Sequence, residues 1–289
     1  MEWLILFLLV PAILVPVVLL CGFAGCGFQL GGAIIAAPTV TATPKNVDHI
    51  TVSWQNADSR PALNYHFVRK LGDVIQTDVD EDASITTVED TGLEAETDYT
   101  YEVSTITAAG SSDAAPVTAG TFKMAFDASA DAPTVQTIVG AGDFTFVQRI
   151  IASQLLASGG QLALKVRGAP SANVTIHRIY VSRAAASGNL WDAAADLTPV
   201  MTSDLTLPDD QPVDLDPIAY NLDQTQDLLI AFDFSSTATA GNIRFVHHTG
   251  VTLFFKEGVQ QAATPIRDVD YTSSGADPTL YLVVTIGGL

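Results

Sequence analysis

Short segments in which apolar and polar residues alternate recur every eight to twelve residues through most of this chain. In residues 49–54, for example, Ile50, Val52 and Trp54 fall on one side of an extended strand, because side chains alternate between its two faces. Alternation with turns at this spacing is typical of an antiparallel sandwich. Strands are predicted over residues 39–43, 49–54, 65–69, 84–88, 99–107, 116–122, 144–151, 161–167, 174–183, 200–207, 228–234, 242–248, 251–256 and 279–286.

The length and charge of the chain limit its class of function. Its 289 residues suggest about two domains, and a hydrophobic content of 48% is enough to build a core. The 13 Lys and Arg residues are outnumbered by 32 Asp and Glu residues, for a net charge of −19. Nucleic-acid binding requires a basic face. We therefore expect no nucleic-acid partner.

The N-terminal segment is apolar and is not part of a folded domain. After Glu2 the next charged residue is Lys45, and residues 3–20 are almost wholly aliphatic or aromatic. A run of this length can cross a ~30 Å hydrocarbon layer as a helix, and Pro11 and Pro16 are better tolerated in lipid than in a soluble helix. We predict a hydrophobic helix in residues 1–30, with residues 3–24 contacting a membrane or an apolar assembly partner.

Three interpretations of residues 1–30 remain open. The first is an uncleaved anchor, which needs only the apolar length. The second is lipidation at Cys26, because Phe23-Ala24-Gly25-Cys26 resembles the lipobox of bacterial lipoproteins. The third is a cleaved signal, although the usual basic start is missing. Export of the rest of the chain is favoured by the domain that follows, and we expect a protein anchored in the membrane at the cell surface or envelope, or one on a virion surface.

The only cysteines, Cys21 and Cys26, lie in this segment. We therefore expect no disulfide and no cysteine-based zinc site in the folded part.

Residues 38–123, after a spacer at 31–37, resemble a fibronectin type III domain. The resemblance rests on Pro38 at the start, Trp54 in the second strand and the turn sequence GLEAETDY at residues 92–99. It implies a sandwich in which Trp54 and Leu93 are buried and Tyr99 forms the tyrosine corner. It also implies a spacer or adhesive role, and no chemistry.

A second domain is predicted at residues 135–289, after an Ala/Asp/Pro-rich linker at 124–134. Eight or nine strands in this length suggest a jelly-roll-type β-sandwich. The segments 179–188 and 227–234 are similar to a β-sandwich module of phage virion proteins, tail-region proteins and some secreted bacterial surface proteins. That resemblance implies attachment or surface display. The predicted fold class is thus all-β beyond the N-terminal hydrophobic helix.

An acidic run marks the middle of the second domain. No Lys or Arg occurs between Arg183 and Arg244, whereas ten Asp do. Two interpretations compete: a calcium site and a solvated acidic edge that keeps the protein soluble. The ligand spacing matches no known calcium loop, so the acidic edge is favoured. The candidate metal ligands are Asp209, Asp210, Asp214 and Asp216, and no other cofactor is expected.

No catalytic motif is found, and we expect a protein that is not an enzyme. The only adjacent histidines, His247 and His248, point to opposite faces of a strand. Exposed aromatic rings can stack on sugars, which makes Trp191, Tyr220 and Tyr271 candidate ligand-binding residues, although a Trp buried under a loop is the more common case.

These observations lead to three hypotheses. The first is an anchored, non-enzymatic display protein, such as a phage fibre, tail or decoration protein, whose distal sandwich contacts a glycan or protein receptor. The second is a self-assembling structural subunit. The third is a bacterial envelope lipoprotein that acts as a carbohydrate-binding accessory module.

Overall fold

The computed structural model of this chain describes residues 34–137, 143–168, 174–208, 210–235, 242–267, 270–273 and 279–289. Within these ranges the chain is almost entirely antiparallel β-structure, with one short 3₁₀ helix at Ala152–Gln154. The expectation of an all-β chain is confirmed. The predicted N-terminal hydrophobic helix lies outside the described residues. In the part that is described, no helix is long and apolar enough to span a membrane.

The first sandwich contains two sheets. One has the order β1-β2-β5, and the other has the order β4-β3-β6, with β7 and β8 both paired to β6. Its strands are β1 (Thr39–Asn46), β2 (His49–Gln55), β3 (Asn64–Leu71), β4 (Val74–Asp82), β5 (Thr87–Thr91), β6 (Asp98–Thr107), β7 (Gly110–Ser111) and β8 (Ala115–Gly120).

Aromatic residues from facing strands fill the first core. Every second residue of β2 is buried, and Trp54 at its end lies 5.7 Å from Tyr65 and 5.8 Å from Phe67, measured between ring centroids. Residues of β6 alternate in the same way and bring Tyr101 against Phe67. The alternation in the sequence therefore identifies the residues that pack in this core, because alternate residues share a sheet face.

Tyr99 forms a tyrosine corner at the start of β6. Its hydroxyl oxygen accepts a hydrogen bond from the backbone N–H of Glu94 at 3.0 Å, and its ring is 4% exposed. Leu93, also buried, begins the same turn after Gly92, whose φ of +73° suits glycine. The turn is therefore tied to the strand that follows it.

The second sandwich is larger. Its strands are β9 (Lys123–Asp127), β10 (Thr134–Thr137), β11 (Asp143–Ile150), β12 (Gly159–Arg167), β13 (Val174–Arg183), β14 (Thr198–Met201), β15 (Leu205–Leu207), β16 (Pro212–Asp214), β17 (Ile218–Leu222), β18 (Leu228–Ser235), β19 (Asn242–His247), β20 (Val251–Glu257), β21 (Thr272–Ser273), β22 (Thr279–Tyr281) and β23 (Val283–Gly288).

Two main sheets enclose the second core. A seven-stranded sheet has the order β14-β13-β18-β11-β20-β21, with β15 also on β13. A five-stranded sheet has the order β16-β12-β23-β9, with β17 also on β12, and a three-stranded sheet, β10-β19-β22, lies beside them. The inward residues of β18 and β12 join one continuous core that includes Phe232, Phe234, Leu162 and Leu164.

The predicted linker at 124–134 differs from the structure. Residues Lys123–Asp127 form β9, which pairs with β23 and adds a strand to the second sandwich, with Phe126 buried in the core. The chain therefore passes from one sandwich to the other without a free spacer. A strand of five residues between polar neighbours carries too little periodic signal to be recognised in the sequence.

An apolar contact joins the two sandwiches. The β1–β2 turn places Val47 against the outer face of the five-stranded sheet, where it packs with Phe122 and Ala163. Gly287 of β23 lies beneath them, and a Cβ at this position would come 2.8 Å from Cβ of Phe122. Full burial of a Val or Phe side chain stabilises by about 1.5–3 kcal/mol. We call this contact the domain interface.

Charged residues surround the domain interface. Lys165 of β12 binds both carboxylate oxygens of Asp48, at 2.6 and 2.7 Å. Lys45 binds Asp216 at 2.5 Å, but 86% of the Asp216 side chain is exposed. Exposed pairs of this kind contribute only about 0–1 kcal/mol each. The apolar contact therefore supplies most of the stabilisation, and the polar pairs define the orientation.

Substitution of Gly287 by alanine tests the domain interface. The new Cβ must displace Phe122, and we expect Gly287→Ala to lower the free energy of unfolding by about 1–3 kcal/mol in urea. Gly160→Ala is the matched control in the same sandwich, because its Cβ would meet only an atom 3.9 Å away. An equal effect of the two substitutions would contradict the interface as described.

Removal of the Tyr99 hydroxyl tests the tyrosine corner. We expect Tyr99→Phe to lower the free energy of unfolding by about 1 kcal/mol, the usual value of one hydrogen bond. Tyr65→Phe is the control, since the Tyr65 hydroxyl has no hydrogen-bond partner in the described part of the chain. A control that loses as much stability as Tyr99→Phe would show that the corner bond contributes nothing specific.

Candidate functional site

Two of the three predicted ligand-binding aromatics lie together on the outer face of the seven-stranded sheet. Trp191 stacks on Tyr271 with ring centroids 5.6 Å apart and an interplanar angle of 27°. Phe254 of β20 lies 5.2 Å from Trp191 and anchors the pair to the sheet. Tyr271 is only 6% exposed. It therefore supports Trp191 from below and does not present a free ring face of its own.

Tyr220, the third candidate, lies elsewhere. It is 4% exposed and belongs to the main core of the second sandwich. Its hydroxyl donates a hydrogen bond to Asp196 at 3.2 Å. Burial, together with the nearby Asp196 carboxylate, raises the pKa of Tyr220 above its usual value. The expectation that Tyr220 is an exposed sugar platform does not agree with this burial.

A buried arginine holds the loops that carry Trp191 and Tyr271. Arg267 is 2% exposed, and each of its side-chain nitrogens donates to a backbone carbonyl: Nε to Gln261, Nη1 to Trp191 and Nη2 to Ala262. Its backbone N–H donates to Asp192 at 2.9 Å. Burial lowers the pKa of Arg267. The carbonyl contacts satisfy the guanidinium and fasten the two loops side by side.

A buried carboxylate fastens one of these loops, at Ala262, to the sheet. Asp233 of β18 is fully buried and accepts hydrogen bonds from the Thr145 hydroxyl at 2.6 Å and from the Ala262 N–H at 3.0 Å. Its Oδ2 atom has no hydrogen-bond partner in the described residues. Burial raises the pKa of Asp233, and the two hydrogen bonds only partly oppose this effect.

Apolar residues are exposed where these two loops meet. Leu190, which is 58% exposed, precedes the partly exposed Trp191, and Ile266, which is 78% exposed, precedes Arg267, which binds the Trp191 carbonyl. The Ala193 N–H donates to the Pro265 carbonyl at 2.8 Å and holds the loops together. We call Leu190, Trp191 and Ile266 the tip. It is carried by the outer face of the seven-stranded sheet, opposite the sheet that meets the first sandwich.

The described residues of the acidic run are largely paired with cations. Asp214 accepts a hydrogen bond from Asn46 at 2.9 Å, lies 2.7 Å from Nδ1 of His49 and lies 3.6 Å from Lys165. His49 also contacts Glu89. Asp214 thus belongs to the domain interface.

The other candidate metal ligands are dispersed. Asp216 pairs with Lys45 and Asp210 pairs with Arg167 at 3.0 Å, whereas Asp209 lies outside the described residues. In the described ranges no group of three or more His, Cys, Asp or Glu side chains is placed to hold a metal ion. Cys26, the candidate lipidation site, also lies outside the described residues.

Sequence reasoning missed Asp233, Thr145, Asp192 and Arg267, the residues that build the support of the tip. One signal was available: Asp233 is an acidic residue in the middle of the apolar strand sequence at 228–234. A charged residue there is either exposed or hydrogen-bonded inside the protein. The partners themselves are distant in sequence and carry no local pattern.

The similarity of this chain to known proteins is limited to solved structures. No family model and no curated protein matches the chain. The chain is similar to the fn3 domain of human collagen alpha-1(XX), with 26% identity over 32% of this chain and 90% of that domain and a TM-score of 0.29. A two-domain fibronectin type III segment from chicken tenascin is 8% identical, over 86% of this chain and 99% of that one, with a TM-score of 0.29. TM-scores this low carry no argument, so the fold rests on the strand pairing of the chain itself.

The pH dependence of stability tests the burial of Asp233. Because its pKa is raised in the folded state, the folded protein keeps a proton that the unfolded chain releases, and stability falls as the pH rises above about 4. We expect Asp233→Asn to remove this part of the decline, measured as the urea midpoint between pH 4 and pH 7.

Asp58 provides a control of opposite sign. Hydrogen bonds from Arg60 hold the pKa of Asp58 below its usual value. The stability that ionised Asp58 contributes is therefore present above the pKa that Asp58 has in the unfolded chain, and it is lost as the pH falls. Asp58→Asn should be destabilised near pH 7 and should approach the wild type in acid. If the urea midpoint of Asp233→Asn changes with pH in parallel with that of the wild type, the raised pKa assigned to Asp233 is contradicted.

Proposed function

We propose that this chain is a non-enzymatic, surface-displayed attachment protein, held at its N-terminus by residues 3–24 in a membrane or particle. The fibronectin-type sandwich acts as the spacer, and the second sandwich, of jelly-roll type, presents the tip to a glycan or protein receptor. The resemblance of residues 179–188 to phage virion modules favours a virion component, and an envelope location is the alternative.

The position of the tip carries the proposal. The five-stranded sheet of the second sandwich is occupied by the first sandwich through the domain interface. The tip lies on the outer side of the opposite sheet, packed on Phe254. A chain anchored at its N-terminus would therefore present the tip away from the spacer, as attachment requires.

The chemistry of the tip fits contact with a partner. Leu190 and Ile266 are large aliphatic residues with more than half of their surface in water, next to an indole ring. Exposed apolar groups clustered around an aromatic residue are typical of the centre of a binding surface. The tip is pre-organised, because Arg267 joins its two loops and Asp233 fastens one of them at Ala262, so binding costs little conformational entropy.

Binding of the full chain to candidate host cells and to a glycan array tests the attachment role. We expect the double variant Leu190→Ser/Ile266→Ser to lose most of the binding. The matched control is Leu156→Ser/Ile34→Ser, which removes two apolar residues of similar exposure, 65% and 92%, far from the tip. Equal binding by both double variants would contradict the role of the tip.

Fractionation tests the anchor separately. Deletion of residues 1–30 should release the protein from the membrane or particle fraction. Cys26→Ala distinguishes two kinds of anchor: loss of palmitate labelling and of membrane association indicates a lipoprotein, whereas retention indicates an apolar segment that is sufficient. Recovery of the full chain in the soluble fraction, in the same oligomeric state as the chain without residues 1–30, would overturn the proposal of N-terminal anchoring.

A further inference from the structure

Arg244 is a buried cation whose guanidinium forms no hydrogen bond with a described residue. It lies in β19 on the same side as Val246, two residues away, which is part of the main core, and it is only 3% exposed. Its guanidinium has no hydrogen bond or ion pair with any described residue, and Nε is sealed from solvent. Buried arginines are almost always paired. This one is an exception that requires an explanation.

The contrast with Arg267 shows how unusual this arrangement is. Both arginines belong to the second sandwich and have almost no exposed surface. Each side-chain nitrogen of Arg267 donates to a carbonyl oxygen, and the side chain thereby holds two loops. The Arg244 side chain makes no such hydrogen bond in the part of the chain that the structure describes. A structural role of the kind that Arg267 plays therefore does not account for it.

A second arginine lies beside Arg244. The backbone of Leu282 joins the two residues: its N–H donates to the carbonyl of Arg244 at 3.3 Å, and its carbonyl accepts from the N–H of Arg167 at 2.8 Å. Burial and the like charge of Arg167 lower the pKa of Arg244, and the carboxylate of Asp210 opposes them only in part. Arg167 itself is paired with Asp210. We call Arg167, Asp210 and Arg244 the arginine cluster.

Backbone strain accompanies the arginine cluster. Leu282, which is 1% exposed, has a φ of +63°, a conformation that a leucine adopts only at a cost of about 1–3 kcal/mol. Strain of this kind is typically retained where it positions functional groups. Leu282 lies between β22 and β23, and its two flanking peptide groups reach the backbones of Arg244 and Arg167.

The charges of the arginine cluster do not balance. Two guanidinium groups and one carboxylate leave one positive charge, in a protein whose net charge is −19. One singly charged anion would restore neutrality. The cluster lies at the end of the second sandwich away from the Lys123–Gly288 pairing, about 20 Å along β23, since Gly288 is six positions after Leu282.

We propose that the arginine cluster binds a single carboxylate group, carried by a small organic acid such as a sugar acid, whose oxygens accept hydrogen bonds from the Arg244 guanidinium. Guanidinium and carboxylate groups match in shape and charge, and such hydrogen bonds are among the strongest in proteins. The small exposed fraction of Arg244 favours a compact group over a broad surface contact. This site is separate from the tip, and it goes beyond the proposed attachment role.

Thermal unfolding of the full chain at constant ionic strength tests this site. The probes are sodium acetate and sodium glucuronate, with sodium chloride as the reference and glucose as the uncharged analogue of glucuronate. We expect acetate and glucuronate to raise the Tm in a saturable manner and glucose to have no effect. By calorimetry, Arg244→Gln should weaken glucuronate binding by roughly tenfold or more, the usual effect of losing a charged hydrogen-bonding partner.

The stability of the variants in chloride separates a binding role from a structural one. Arg244→Gln should unfold at the same temperature as the wild type or higher, because it removes an unpaired buried charge. Arg244→Lys keeps the charge without the planar guanidinium and should bind more weakly than the wild type. Arg183→Gln, which removes an exposed arginine paired with Asp196 in the same sandwich, should bind normally.

Several outcomes would overturn the proposal. One is an equal Tm increase in chloride and in carboxylate; another is full glucuronate binding by Arg244→Gln. A response to inorganic phosphate alone, with none to either carboxylate, would replace the carboxylate site with a phosphate site. All these measurements use purified protein without cells, so their failure is distinguishable from a failure of the attachment role of the tip.

Discussion

Val47 and Phe122 reach the outer face of the five-stranded sheet only because Gly287 has no side chain. This close approach brings Lys165 to Asp48 and His49 to Asp214, so the polar pairs depend on the apolar contact that precedes them. It also uses one face of the second sandwich and leaves the opposite face for the tip. The position of the candidate attachment surface thus follows from the contact that joins the domains.

The buried charges of the second sandwich lie in two different kinds of environment. Asp233 and Arg267 are desolvated at a cost, and neighbouring backbone groups offset much of that cost while the loops are held in place. Arg244 is desolvated without a hydrogen bond from its guanidinium to a described residue, the charge of Asp210 offsets only part of the cost, and Arg244 lies beside a strained Leu282. Local features that do not serve the fold are expected where a protein binds something. The two arginines therefore separate a structural site from a candidate ligand site.

Much of the fold was accessible from the sequence because the strand signal is local. The predicted strands at 49–54 and 174–183 correspond closely to β2 and β13. β4 was missed, since this edge strand has an acidic end and most of its residues are exposed, which leaves no alternation to detect. β9 was interpreted as a linker because five residues carry too little pattern. Of the candidate ligand residues, Trp191 and Tyr271 are together, and Tyr220 belongs to the core.

The sequence by itself determined that this chain forms antiparallel sandwiches, since the alternation of side chains along a strand depends only on near neighbours. It also determined the two-part organisation and the apolar N-terminus. Only the tertiary structure decided the partners of the acidic run: Asp214 contacts His49 across 165 positions of sequence. The burial of Arg244 without a hydrogen bond from its guanidinium to a described residue was likewise decided only by the packing of β12, β19 and β23. Such contacts depend on how whole sheets pack, and no local pattern of residues encodes that.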